Sequence, residues 1–166
     1  MPTRTQFLLT HDPDLNNLRS PALIEIYKFW LGLRTGAVLP ARSDFHPTDL
    51  PPNLMPHIAI ADVIRNGSDL RFQWRLVGTH ITEGTGRDVA GRYFDDVYGG
   101  DNHDDLVAAY LRIARNGAPL RWHGDCQFVD KEWMMTEVVG MPLSENGRTV
   151  DKLFMGMVFS QNVDLG

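Results

Sequence analysis

From Leu70 to Leu76 the chain alternates. Leu70, Phe72, Trp74 and Leu76 are apolar, and Arg71, Gln73 and Arg75 between them are polar. A two-residue period predicts a strand with one face in a core and the other toward water. The preceding segment, His57 to Ile64, is apolar and β-branched, a second strand. Asn66-Gly67 between the two is a strong hairpin signal, so they should pair antiparallel. Three more strands follow later, at Leu120 to Val129, Trp133 to Met141 and Leu153 to Ser160, with another Asn-Gly, Asn146-Gly147, in the last loop. The final run, LFMGMVF, is apolar on both faces. Such a strand belongs in the middle of a sheet covered on both sides.

Helical signals fill the spaces between. Residues 1–19 read as a loose lead-in. Ser20-Pro21 then combines an N-cap residue with a proline at the first helical position. The helix should run from Pro21 to about Arg34 and stop near Gly36. Its apolar stripe (Leu23, Ile24, Ile26, Tyr27, Phe29, Trp30, Leu31, Leu33) is too wide for a helix with its back in water. Two readings follow: a helix wedged against its own domain, or one shared with a second copy of the chain. Pro40, Pro47, Pro51, Pro52 and Pro56 forbid long helix or central strand over 35–56. That stretch reads as an extended connector with one short turn near Asp49 to Leu54. Short helical turns are expected at His80 to Glu83 and Phe94 to Val97. Asp101 or Asn102 caps a longer helix in which Leu106, Tyr110 and Ile113 share a face, ended by Asn116-Gly117.

The order of elements describes an α+β domain: a five-stranded antiparallel sheet, spatial order 2-1-5-4-3, with helices on one face and an N-terminal helix added. The expected division is 1–56 for the N-terminal helix and proline-rich connector, and 57–166 for the sheet domain. At 166 residues, 43% apolar and 22% charged, the chain is of ordinary globular composition. The net charge of −5 and the lack of a Lys/Arg cluster argue against a nucleic-acid binder. A single cysteine, Cys126, allows neither an internal disulfide nor a cysteine-based metal cluster within one chain. No window reaches the roughly 18 apolar residues of a membrane span, and the start lacks a secretory pattern. A soluble cytoplasmic protein is the expectation.

Chemical motifs are few. Gly84-Thr85-Gly86 begins like a dinucleotide loop, but Val89 stands where the third glycine belongs. There is no phosphate loop, no G-x-S-x-G elbow and no H-E-x-x-H pair. The six histidines form only pairs at helical or near spacing, such as His80 with Glu83, and a metal needs three or four converging ligands. Asp88, Asp95, Asp96, Asp101, Asp104 and Asp105 make the middle acidic. They read as caps and solvated groups rather than as an acid-base pair.

The segments LPARSDFHPTDLPPNLMPHIAIADV (39–63) and FQWRLVGTHITEGTGRDVAGRYFDDVY (72–98), with the closing LFMGMVF, resemble the PAS domain, most closely the PAS-like family common in alphaproteobacteria. The resemblance implies a stand-alone sensory or regulatory module, not an enzyme. It implies a cavity between the inner sheet face and the helical middle. Alternation then places Phe72, Trp74 and Leu76 inward on the second strand, and Trp122, Cys126 and Phe128 on one face of the third. The PAS pattern implies Thr136, Val138 and Gly140 on the fourth strand. On the fifth it favours Phe154, Gly156 and Val158, with the equally apolar Met155 and Met157 as the other choice. Tyr110 and Ile113 come from the long helix. Phe72, Trp74, Leu76, Tyr110, Ile113, Trp122, Cys126, Thr136, Val138 and Phe154 are thus the candidate ligand-binding residues. Flavin-binding PAS photosensors carry their reactive cysteine on a short central helix. Residues 79–118 hold no cysteine, so no flavin adduct is implied. His103 reads as a surface residue near a helix cap rather than a haem ligand. No metal and no cofactor are assigned.

The leading expectation is a sensor or adaptor that binds a small molecule or a partner protein, signals through protein contacts, and forms a homodimer through its N-terminal helix. The alternative is a small cone-fold enzyme of the isomerase or hydratase type, which needs a carboxylate deep in an apolar cup. A protein-interaction module without a cavity is the third.

Overall fold

The structure is a computed structural model. It describes residues 9–97, 103–126 and 131–161, leaving aside the side chains of 103–106, 125, 126, 131–134 and 161. Its strands are β1 (Thr10–Asp12), β2 (Ile58–Asn66), β3 (Asp69–Val77), β4 (Leu120–Cys126), β5 (Lys131–Leu143) and β6 (Lys152–Gln161). The helices are α1 (Pro21–Leu33), α2 (Thr79–Thr85), α3 (Phe94–Val97) and α4 (His103–Asn116). Among the described residues no helix is long and apolar enough to cross a membrane.

All strands join one antiparallel sheet in the order β1-β4-β5-β6-β2-β3. The five expected strands take the expected order. The sheet has six strands rather than five, because the lead-in contributes β1, paired with β4 through Thr10 and His123. Three residues carry too little pattern to signal a strand. What holds this one is polar: Arg121, only 4% exposed, bonds Asp12 at 3.3 Å and Glu137 at 2.8 Å.

The apolar β6 runs centrally between β5 and β2 and divides its side chains by parity. Gly156 faces α1, where an added Cβ would stand 2.8 Å from Leu23 and 3.0 Å from Ile26. Phe154 is on that side too, stacked on Phe45 at 5.1 Å. Met157 and Phe159 turn to the opposite side, under α2. The helices therefore do not all gather on one face: α2, α3 and α4 cover one, and α1 with the connector covers the other. Of α1, Leu23, Ile26 and Trp30 are buried, and Trp30 Nε1 donates to the Pro142 carbonyl at 3.0 Å. Ser20 has the extended backbone of an N-cap but makes no side-chain cap; its own N–H donates to Glu137 at 2.8 Å.

The connector buries Leu39, Phe45, Leu50 and Leu54 in the same contiguous core as the sheet. Its prolines break it into three 3-10 turns (Arg42–Asp44, Pro47–Asp49 and Met55–His57) where one turn was expected. The β2–β3 hairpin closes through Gly67 at φ 64°, with Asn66 opposite Asp69. Gly117 ends α4 at φ 64°, and its N–H donates to Ile113 O at 2.9 Å. The expected N-cap of that helix, Asp101 or Asn102, and the expected end of the third strand, residues 127–129, lie outside the described residues.

Candidate functional site

Between the sheet and α2–α4 the side chains do not fill the space. A cavity remains whose volume open to the centres of water molecules is about 50 Å3. A single water needs about 10–15 Å3 on that measure, so there is room for a few waters or one compact ligand. The sheet supplies Trp74 and Val77 from β3, Trp122 from β4, Thr136 and Val138 from β5, and Met157 and Phe159 from β6. The helical side supplies Ile81 and Thr85 from α2, Val89 and Arg87 from the following loop, Val97 from α3 and Tyr110 from α4. Leu9 closes one end from the N-terminal lead-in.

Aromatic rings form the rigid part. Tyr110 meets Trp122 edge-on at 5.2 Å and Phe94 edge-on at 4.9 Å, and Phe94 lies 4.4 Å from Trp74. Each buried ring of this kind contributes roughly 1.5–3 kcal/mol through the area it removes from water. The cavity is thus walled by groups with few accessible rotamers.

Polar groups at the cavity are sparse and differ in state. Thr136 Oγ1 donates to Val158 O at 3.2 Å, and Thr85 Oγ1 donates to Ile81 O at 2.8 Å. Trp74 is 2% exposed, and its buried Nε1–H has no acceptor among the described residues. Leaving such a donor unpaired costs about 1–3 kcal/mol. Arg87, an exposed residue, is also in the lining. Its guanidinium makes a long contact with Val97 O at 3.5 Å, and among the described residues it pairs with no carboxylate. Among the described residues, no carboxylate and no histidine lines the cavity.

Of the candidate residues read from the sequence, Trp74, Tyr110, Trp122, Thr136 and Val138 line the cavity. Phe72 packs behind it, 5.3 Å from Phe94 and 6.0 Å from Tyr110. Ile113 is fully buried over Gly140 and Trp122, also behind the wall. Leu76 and Phe154 are not at the cavity. A β-bulge lies between Ile60 and Ala61: Ile60 pairs with Leu76 but Ala61 pairs with Trp74, leaving Arg75 as the extra residue. The bulge reverses alternation, so Leu76 goes to the α1 face with Phe154, and Val77 takes its place inside. Cys126 lies on β4, but its side chain, like that of His103, is outside the described residues. Met157 and Phe159 come from the face of the last strand that the sequence left as the other choice. Ile81 and Thr85, four apart on α2, are the pair that helical spacing could have found.

One further cluster borders the site. His57 and His80 have ring centroids 4.2 Å apart. Phe159 N–H donates to His80 Nε2 at 3.2 Å, so that nitrogen is unprotonated; His57 Nδ1 donates to Met157 O at 3.2 Å. Burial, and then the neighbouring His57, push the His80 pKa below its usual 6.5, against the pull of Glu83. Among the described residues no group of three or more side chains is placed to hold a metal ion.

An antiparallel sheet with short helices arched over one face and a cavity beneath them is a recurring α+β architecture. A family model described as PAS domain matches residues 18–158, and the chain belongs to that family. No curated protein matches. Among solved structures the chain is similar to one described as an RNA-binding light-oxygen-voltage receptor, with a TM-score of 0.45 and 17% identity. The likeness covers 92% of this chain and 38% of that one.

Proposed function

We propose that this PAS domain is a sensory module that takes a small molecule into the cavity under α2–α4 and passes its occupancy to another protein surface. The observation that carries the reading is the cavity itself, apolar and aromatic-walled. Apolar walls with few polar groups are the usual makeup of a ligand site. Isomerase or hydratase chemistry would need a carboxylate in the cup, and the described lining residues include none, which favours binding over turnover. A ligand acts as a signal only by preferring one conformation, and the short helices α2 and α3 are the part free to respond.

Native mass spectrometry of the purified chain, followed by extraction of any bound species, tests this. A co-purified small molecule whose removal raises amide exchange in α2–α4 supports it. An empty protein whose exchange in those helices is unchanged by cell extract refutes it.

Self-association through α1 belongs to the same reading. Leu23, Ile26 and Trp30 are buried, Ile24 and Tyr27 are half-buried against the same core, and Leu31 on their side of the helix is 42% exposed. Sedimentation velocity should show a dimer that Leu31→Glu converts to monomer; a monomeric wild-type chain would remove this part.

A further inference from the structure

The edge of β6 outlasts β2. The β2–β6 ladder ends with Ile58 opposite Gly156, whereas β5 accompanies β6 to Gln161. Past Gly156 the backbone groups of Met157 and Phe159, two residues apart, point to the flank that β2 has left. Two imidazoles take them up. His57 Nδ1 donates to Met157 O at 3.2 Å, and Phe159 N–H donates to His80 Nε2 at 3.2 Å. The two roles are opposite. A second proton on His57 goes to Nε2 and leaves its bond intact. A second proton on His80 goes to Nε2 itself and removes the acceptor.

The bond sits on the roof of the cavity. His80 and Gly84, four apart on α2, both rest on Phe159: the rings of His80 and Phe159 are 5.9 Å apart, and an added Cβ at Gly84 would stand 2.9 Å from the Phe159 ring. Ile81 and Thr85, one position further along, line the cavity. The chain enters α2 pinned, since Gly78 N–H donates to Ile58 O at 2.8 Å, and leaves it through Gly86 at φ 74°.

We propose that His80 is a proton-operated latch: protonation at Nε2 frees the Phe159 N–H, and α2 lifts from β6 and opens the cavity. The latch needs no ligand and so goes beyond the reading above. The titratable and charged groups acting on His80 are His57, from the 3-10 turn before β2, and Glu83, from its own helix; β6 meets it with Phe159. Burial and then His57 set its pKa below the ordinary 6.5, against the pull of Glu83. The latch is therefore complete above pH 6.5 and weakens as pH falls below that value.

Amide exchange of the full chain at pH 7.5 and 5.5, corrected for intrinsic rates and repeated with small additions of urea, tests this. Between the two pH values the opening of the Phe159, Thr82 and Gly86 amides should rise about tenfold. At pH 5.5 it should be insensitive to urea, the mark of local opening, while the β2–β3 hairpin amides keep the urea slope of global unfolding. His80→Gln, which retains an acceptor but does not titrate, should abolish the rise. The 15N shifts of the wild-type His80 ring at pH 7.5 should show the proton on Nδ1, a readout that does not depend on the variant folding. A proton on Nε2, no rise at pH 5.5, α2 amides that share the hairpin's urea slope there, or the same rise in His80→Gln would each overturn the latch and leave the ligand cavity as it stands.

Discussion

At the scale of single residues, Glu137 gathers three donors from separate elements. Its carboxylate accepts from Arg19 N at 3.0 Å, Ser20 N at 2.8 Å and Arg121 Nε at 2.8 Å. It therefore ties the start of α1 and the buried Arg121 to β5 with one side chain. Glu137→Gln keeps the shape and one acceptor oxygen but removes the charge that offsets a guanidinium 4% exposed. Breaking a buried pair costs about 3–5 kcal/mol; with Asp12 still in place, a loss on the order of 3 kcal/mol is expected from urea unfolding. A loss under about 1 kcal/mol would mean that Asp12 alone suffices. Gly156 is the apolar counterpart. An added methyl meets Leu23 and Ile26 at 3.0 Å or less, so Gly156→Ala should cost about 1–3 kcal/mol and lower the melting temperature. Alternation placed Arg121 and His123 opposite Trp122 correctly. It had no means of showing that the paired carboxylates would come from β1 and β5.

At the scale of elements, period and turn chemistry carried most of the information. The apolar β6, the two Asn-Gly loops and the glycine after α4 each signalled an element that formed. The failures have local causes. A bulge at Arg75 changes one count in the β2–β3 ladder, and every inward residue beyond it shifts by one. β6 is apolar on both faces, so its pattern cannot say which face meets the cavity. The histidine pair joins His57, before β2, to His80 on α2, and no local pattern links them. That pair makes α2 sensitive to pH. The folded state favours neutral His80: burial first, and then His57 with its ring centroid 4.2 Å away, hold its pKa below the ordinary 6.5, and Phe159 N–H uses its Nε2 as acceptor. Glu83 is the one group pulling the other way. The contribution of His80 is therefore complete above pH 6.5 and is lost as pH falls below that value toward the folded pKa. His11 and His123 are lowered as well, both first by burial, and add in the same direction. Melting temperature should fall between pH 7.5 and 5.5, and His80→Gln, which keeps an acceptor for Phe159, should fall less. Identical slopes would remove His80 from the explanation.

At the scale of the whole molecule, β6 is the wall shared by two compartments. Met157 and Phe159 line the cavity, while Phe154 and Gly156, a few residues away, hold α1 and the connector. A ligand that shifts β6 meets α1 directly, without passing through the sheet edges. The opposite edge depends on β1. Without it, β4 would present unpaired N–H and C=O groups, the arrangement that recruits other chains. The same segment carries Leu9 into the cavity and Asp12 to Arg121. Removing residues 1–13 should therefore do three things at once: lower the melting temperature, promote self-association through the bared β4 edge, and weaken binding of any cavity ligand. Light scattering and probe titration on the truncated chain measure the last two separately. A truncated chain that stays as stable and as dispersed as the full one would show that β4 needs no neighbour, and that Arg121 is held by Glu137 alone.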